Sequence, residues 1–471
     1  MIGLFGTLDL AQRALQTQRQ GVEVTGHNLA NANRAGYTRQ RLTVQAGSSL
    51  STLVGQFGTG VEAVTVQQIR DGLVDRQMQD EISVRSSLET QQTALQWAQA
   101  NLGQQIDSTS NSTAGASTSG NAGLADRLTN LFNSFQSLAT QPTSLEARQG
   151  VLLQAQDLAG RFNQIDQQLS KLSGSLSESM KSDVTSANQL LTDISRLNDE
   201  IKQTELGSKV VANDLRDARQ EKLEELSKLI KVDASESGGV LTVSLNGTSL
   251  VAGKQVVDTL EAYDAGGGQW KIRTQTGAQP LDPTGGSMHG YLTARDGVVA
   301  QLRADVNTLA SQLITQVNTL HSAGYGLAGS TGAAFFTGTN AADIQVSSQL
   351  VNQPALLQVS ASAGASGDNT VALNLARLAD QPQAALSNQT LSQFLGQSVA
   401  TLGGSLSSIN GQLTDQKMVE SWLQQQRDAV SGVSLDEEMT NLTKYQKAFE
   451  ASARLVTTVD EMLDTVLNMK R

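Results

Sequence analysis

The sequence predicts a mainly α-helical chain with a small β domain inserted in the middle and terminal helices that form a coiled-coil-like domain. Three observations carry this. Near the N-terminus Leu8, Leu15, Val22 and Leu29 recur at a spacing of seven, and near the C-terminus Leu435, Leu442, Phe449, Val456 and Leu463 do the same, each marking a seam along a helix that wants a partner. Between them Leu241 to Ala252 alternates around Asn246-Gly247, a two-residue hairpin signal. Only 4% of residues are aromatic and 38% hydrophobic, thin for a compact enzyme core and natural for long helices with Gln, Ser, Thr and Asn outside.

The first helix is expected from Thr7 to Ala30, its seam accompanied by the small or polar Ala11, Gln18, Thr25 and Ala32. It ends in a polar run holding Asn28, Asn31, Asn33 and Gly36, residue types that tolerate left-handed backbone and stop helices. Tyr37 then offers a flat amphipathic contact, and Arg39 and Arg41 offer forked donors, for which carboxylates are the expected partners in so acidic a chain. A Gly/Ser/Thr loop from Gly47 to Gly60 precedes a short strand, Val61 to Val66. Helix resumes from Ile69 to Ile106, and Asp107 to Gly123 reads as a flexible low-complexity loop.

Leu124 to Leu138 is helical with a broad apolar face and breaks at Pro142. Two further helices, Ser144 to Leu172 and Ser177 to Leu206, lead to another from Asp217 to Ile230. From Val232 the pattern turns to strands. In the hairpin Leu245 should face Thr248, Val243 face Leu250, and Leu241 face Ala252. Strands at Val256 to Tyr263 and Trp270 to Thr274 complete the insert near Pro283. Helix returns from Gly297 to His321, Gly324 to Gly338 is a Gly-rich connection holding Phe335 and Phe336, Ile344 to Gly367 reads as irregular or weakly β, and a helix from Leu391 runs to Ser431-Gly432. The terminal helix opens with Ser434, expected to form a capping box with Glu437, while Asp436, Glu437 and Glu438 complement the helix dipole and Lys470 and Arg471 do so at the other end. Gln446, Ser452, Ala453 and Asp460 fall where a stable coil would carry a second apolar row, so this helix is not expected to hold its shape alone. The domains expected are a terminal helical unit (1–65 with 415–471), a helix-rich rod (66–231 with 286–414) and the β insert (232–285).

Chemistry is sparse. There are 45 acidic and 34 basic residues, a formal net charge of −11, and no cysteine; a nucleic-acid partner is disfavoured, and thiolate metal sites and disulfides are excluded. His27, His289 and His321 stand far apart. No run of about 18 apolar residues exists to span a membrane, and the opening MIGLFGTLDL lacks the features of a secretory leader. No catalytic, cofactor or metal site is expected, and the acidic trio is accounted for by capping.

Asn28-Leu29-Ala30-Asn31 followed by Gly36-Tyr37-Thr38-Arg39-Gln40 resembles the N-terminal signature of the flagellar axial proteins, the family of rod, hook and hook-associated proteins. Gly432 through Asp436-Glu437-Glu438, with Asn441-Leu442, Tyr445-Gln446 and Ala451-Ser452-Ala453-Arg454, resembles the C-terminal end of the hook-associated members, where rod and hook proteins differ. Arg34-Ala35 stands where the family has Thr-Pro, which leaves the turn less constrained. The resemblance implies a cell-surface structural protein exported by the flagellar type III apparatus and placed between hook and filament. Its chain ends would form an inner helical tube, with further copies of itself, hook protein, a second junction protein on the filament side and an export chaperone at the C-terminal region as partners. A hook or distal-rod sibling, and a cell-wall hydrolase on an axial scaffold, are the rival readings.

Overall fold

In the computed structural model, residues 3–34, 36–52, 55–102, 123–207 and 210–469 are described. Ala35, most of the low-complexity run after Ile106, and Lys470 and Arg471 fall outside them. Helix α1 (Leu4–Asn31) is followed by strand β1 (Gln40–Ala46), a small hairpin β2 (Leu50–Thr52) and β3 (Gly55–Phe57) inside the expected loop, and β4 (Val61–Gln68), antiparallel to β1. Helices α2 (Gly72–Leu102), α3 (Leu124–Thr140), α4 (Leu145–Glu205) and α5 (Asn213–Leu229) come next.

Helix α4 is one uninterrupted helix of 61 residues where two were expected. Gly174 and its serine neighbours do not break it: Leu169 and Leu176 on either side are buried in one core, and Ser177 Oγ bonds back to the carbonyl of Ser173 at 3.0 Å. Buried residues on both sides of that point continue the apolar stripe.

The insert contains a four-stranded antiparallel sheet, β5 (Asp233–Ser237), β6 (Val240–Leu245), β7 (Thr248–Ala252) and β8 (Gln255–Val256), and a three-stranded one, β9 (Leu260–Asp264), β10 (Trp270–Thr274) and β11 (Pro280–Leu281). Asn246 and Gly247 both have positive φ, 49° and 80°, as a type I′ turn requires. Leu245 does face Thr248, but the register then slips: Val243 faces Val251 and Thr242 faces Ala252. Leu250 is the extra residue of a bulge, and the slip lets consecutive Leu250 and Val251 both be fully buried.

Helix α6 (Gly286–Thr293) runs through a π turn (Ala294–Val299) into α7 (Ala300–Ser322), so the helix begins earlier than Gly297. The next stretch is largely irregular, with β12 (Phe336–Thr337), β13 (Gln345–Val346), α8 (Ser348–Asn352) and α9 (Thr370–Arg377), before α10 (Leu391–Ser431) and α11 (Leu435–Asn468).

One core joins α3, the first half of α4, the end of α2, α7, α9 and the start of α10 around Phe135, Phe162, Phe335 and Phe336. A second joins the distal half of α4, α5, both β sheets and Met288. Helices α1 and α11 pack along each other but contribute only Ala11 and Val459 as fully buried apolar side chains.

Candidate functional site: the joint of the two chain ends

Pairing of α1 with α11 is antiparallel: Asn28 meets Glu438, and Gly21 meets Tyr445 further along. The sheltered row of α1 is Ala11, Thr17, Gly21, Thr25 and Asn28, while Leu8, Leu15, Val22 and Leu29 are only half-buried beside it. In α11 Glu438 and Val459 are buried, Leu442, Val456 and Leu463 half-buried, and Leu435 and Phe449 remain 52% and 40% exposed. The α1 seam therefore runs beside the sheltered row, whereas in α11 Leu442, Val456 and Leu463 share the face of Glu438, Tyr445 and Val459. A straight helix drifts about 20° per heptad against a strict seven-residue repeat, so the α1 seam approaches the sheltered row only toward Leu29, and small side chains in α1 let the backbones approach instead.

Beyond Asn28, the polar run is stapled to both neighbours. The Asn28 amide donates to the carbonyl of Gln40 (2.8 Å) and to Glu438 Oε2 (3.1 Å), and accepts from the Gln40 amide (3.0 Å). It thus imitates a ladder partner for the start of β1. The Tyr37 hydroxyl donates to Asn28 Oδ1 (2.8 Å) and lies 3.0 Å from His27 Nδ1. Since the hydroxyl proton is committed to Asn28, His27 Nδ1 is the donor in that contact. Burial, then the charges of Asp214, Asp217 and Glu438, push the Tyr37 hydroxyl well above the usual phenol range.

Thr38 and Arg39, adjacent in extended chain, face opposite ways. The Thr38 amide and hydroxyl donate to the two oxygens of Asp217 in α5, at 3.0 and 2.7 Å, and Gln68 donates to the same carboxylate at 2.7 Å. Burial raises the Asp217 carboxyl above the usual range despite these bonds. Arg39 turns to α11: Nε donates to Glu438 Oε1 at 2.8 Å and Nη1 to Glu437 Oε2 at 2.7 Å. Burial works against its charge, yet Glu437 and Glu438 prevail and raise the guanidinium further. Glu438 is 2% exposed, so each charge-assisted bond there is worth about 1.5–3 kcal/mol. The Arg39 amide also donates to the carbonyl of Ser431 at 2.9 Å, which ties the end of α10 to the same residue.

Ser434 caps α11 by accepting from the Glu437 amide at 3.4 Å, but the reciprocal half of the expected capping box is replaced by the Glu437–Arg39 pair. The acidic trio is thus more than a cap. Of the other motif residues, Asn31 donates to the carbonyl of His27 (3.0 Å), Asn33 and Asp436 are exposed, Gly36 adopts φ +78°, and a Cβ on Gly432 would sit 2.3 Å from the carbonyl of Asp428. Arg41 is exposed. Sequence reasoning missed Asp217, Gln68 and the Gly21–Tyr445 contact. An isolated glycine inside a helical pattern was the one available signal, since it needs a packing reason.

A polar cleft opens beside this joint, bordered by Arg34, Arg39, Arg70, Glu224, Arg427 and Glu437, with a volume of about 650 Å³. Its cations are largely answered locally: Arg39 by Glu437, Arg70 by Asp75 and Arg427 by Glu224. Among the described residues no cluster of three or more His, Asp or Glu side chains is placed to hold a metal ion, and no helix is long and apolar enough to cross a membrane.

Three family profiles match the chain along its length. "Flagella basal body rod protein" matches residues 8–38, "Flagellar hook-associated protein FlgK helical domain" residues 116–336, and "Flagellar basal body rod FlgEFG protein C-terminal" residues 424–469. The chain is 28% identical to flagellar hook-associated protein 1 of Bacillus subtilis strain 168 over 99% of both chains. It is 25% identical to the protein of that name from Salmonella typhimurium over 98% of both. The chain is thus similar along its whole length to flagellar hook-associated protein 1 of these two bacteria. Its fold is shared with the flagellar hook junction protein FlgK from Burkholderia pseudomallei, at a TM-score of 0.61 and 17% identity, covering 76% of this chain and 100% of that one. In this chain the two rod-type terminal matches contain the helices and motifs that meet in the joint: α1 with Asn28 to Thr38 on one side, and the end of α10 with α11 on the other.

Proposed function

We propose that this chain is a structural subunit of the bacterial flagellum that joins hook to filament and is needed for filament assembly. The observation that carries the reading is a pair of terminal helices of axial-protein type, matched end to end with hook-associated relatives, that leaves much of its apolar surface uncovered. At about 100° per residue, the row of α11 sheltered by α1 is flanked on one side by Leu435, Met439 and Phe449 and on the other by Leu455, Met462 and Val466. All six are exposed. A helix apolar on three sides and covered on one has its remaining neighbours outside the subunit.

The mechanism is association rather than turnover. The seam residues Leu8, Leu15, Val22 and Leu29 of α1 and Leu435, Leu442, Phe449, Val456 and Leu463 of α11 form the subunit contacts, and ordering of the ends is completed on assembly. The Asn28–Arg39–Glu438 joint fixes the paired ends to α5 and α10, so that the pair is presented to neighbours as one unit. Under this reading the chain divides into the terminal unit, the rod and the β insert. Its partners are further copies of itself, hook protein on one side, a second junction protein and the filament on the other, and an export chaperone at the C-terminal region. It reaches its extracellular place at the hook–filament junction through the flagellar type III apparatus.

The test is a Phe449→Asp variant expressed in cells lacking the native gene. Cells that carry hooks yet shed filament subunits into the medium are expected. Normal filaments on those hooks would overturn the assignment of the α11 flank, and cells without hooks would point to a hook or rod subunit.

A further inference from the structure

The stretch between α7 and α10 has little regular structure, and a buried polar knot centred on His321 fastens it to the helical core. His321, at the end of α7, is fully buried. Its Nδ1 lies 2.8 Å from the carbonyl of Ala333, and its Nε2 lies 3.0 Å from the amide nitrogen of Gln358. A carbonyl can only accept and a peptide N–H can only donate, so the ring must carry its proton on Nδ1 and present a bare Nε2. The Gln358 side chain is fully buried too, and the amide orientation that satisfies both its ends donates to the carbonyl of His321 and accepts from the amide of Ala333 at 2.9 Å.

Arg148 completes the knot from α4. Its side chain is fully buried, and its guanidinium donates to the carbonyls of Pro142 and Leu357. The Leu357 carbonyl and the Gln358 N–H belong to one peptide group. That group is therefore held at its oxygen by a cation and at its nitrogen by a neutral imidazole, in a chain of bonds that polarise one another. The faces around the ring are otherwise unable to take up charge. The 333–336 run presents Ala333 and the Phe335 ring, edge-on at 5.4 Å, the 357–360 run presents Gln358, and the charge whose field reaches the ring is that of Arg148.

We propose that His321 is a proton-operated clasp: neutral, it fastens the 323–360 segment to α4 and α7, and protonated it releases that segment before the rest of the chain unfolds. A proton on Nε2 would oppose the Gln358 N–H and place a second positive charge beside Arg148 with no carboxylate bonded to either. Burial, and after it the Arg148 charge, already hold the imidazole down at about 4 against the pull of the Ala333 carbonyl.

The chain has three histidines, so its imidazole nuclear magnetic resonance spectrum can be followed ring by ring in the intact protein. Expected are an Nδ1–H tautomer for His321 at neutral pH, uptake of its proton only in distinctly acidic solution, and simultaneous loss of hydrogen-exchange protection at Gln358. The α5 amides should stay protected at that point. In His321→Gln, whose amide can both donate and accept, the acid-linked loss at Gln358 should disappear. Proton uptake by His321 near the ordinary histidine value with Gln358 still protected would overturn the clasp, and so would an unchanged acid transition in His321→Gln. If that variant does not fold, the wild-type titration decides alone.

Discussion

Gly21 lies directly beneath the ring of Tyr445: a Cβ placed on Gly21 would stand 2.6 Å from two of the ring carbons. This contact sets how closely α1 and α11 approach. A Gly21→Ala change gains about 1 kcal/mol of helix propensity but forces the ring or the helix aside, at about 1–3 kcal/mol. Gly21→Val adds bulk with less propensity gain. The expected outcome is earlier proteolytic loss of both chain ends, mild for alanine and marked for valine, with recovery when Tyr445→Ala is combined with Gly21→Val. Limited proteolysis followed by mass spectrometry reads this directly.

Arg39 and Glu438 stand 399 positions apart in sequence. Arg39→Ala leaves a nearly buried carboxylate without its cation, a loss of about 3–5 kcal/mol for the local structure. Arg39→Lys keeps the charge but not the fork, so it should recover only part. A double-mutant cycle with Glu438→Gln, read by chemical denaturation, should give a coupling of more than about 1 kcal/mol; additivity would show that the pair does not hold the joint.

Two residues of α11 separate folding from assembly. Val459 is 3% exposed and Phe449 40% exposed. Val459→Ala should lower the stability of the isolated terminal pair by about 1–2 kcal/mol, while Phe449→Ala should change it by less than about 0.5 kcal/mol. In a co-assembly assay the order should reverse, with Phe449→Ala the more damaging.

Acid should weaken the helical core through His321. The unfolded chain takes up this proton near pH 6.5 and the folded chain near 4. The neutral ring's contribution is therefore fully present above about 6.5, falls by about 1.4 kcal/mol per pH unit below it, and levels off below the folded value. Urea midpoints measured from pH 7 to pH 4 should show a steeper decline in the natural chain than in His321→Gln.

Local patterning in the sequence was enough for the long helices at both ends, the Asn246-Gly247 turn and the Ser434 cap, because each depends on neighbours a few positions away. The carboxylate partners expected for Arg39 are present. What the pattern could not supply was partner identity: nothing near Thr38 points to Asp217, and the acidic trio read as a cap because its second role depends on an arginine at the other end of the chain. The heptad rows placed both helices, and in α11 Leu442, Val456 and Leu463 share the sheltered face, whereas in α1 the row of Gly21, Thr25 and Asn28 lies beside the heptad line. Similarly, the break expected near Gly174 did not occur, because Leu169 and Leu176 on either side of it are buried in the same core.

Helix α4 extends for about 90 Å at 1.5 Å per residue, and its two halves are built into different cores. A shared beam of this kind denies the bundle and the β insert any independent swivel. With Thr38 bonded to Asp217 of α5, and Arg39 to Glu438 and to the Ser431 carbonyl, the paired ends are fastened to that beam as well. Curvature demanded of the assembly would then be taken up between subunits rather than by deforming the body.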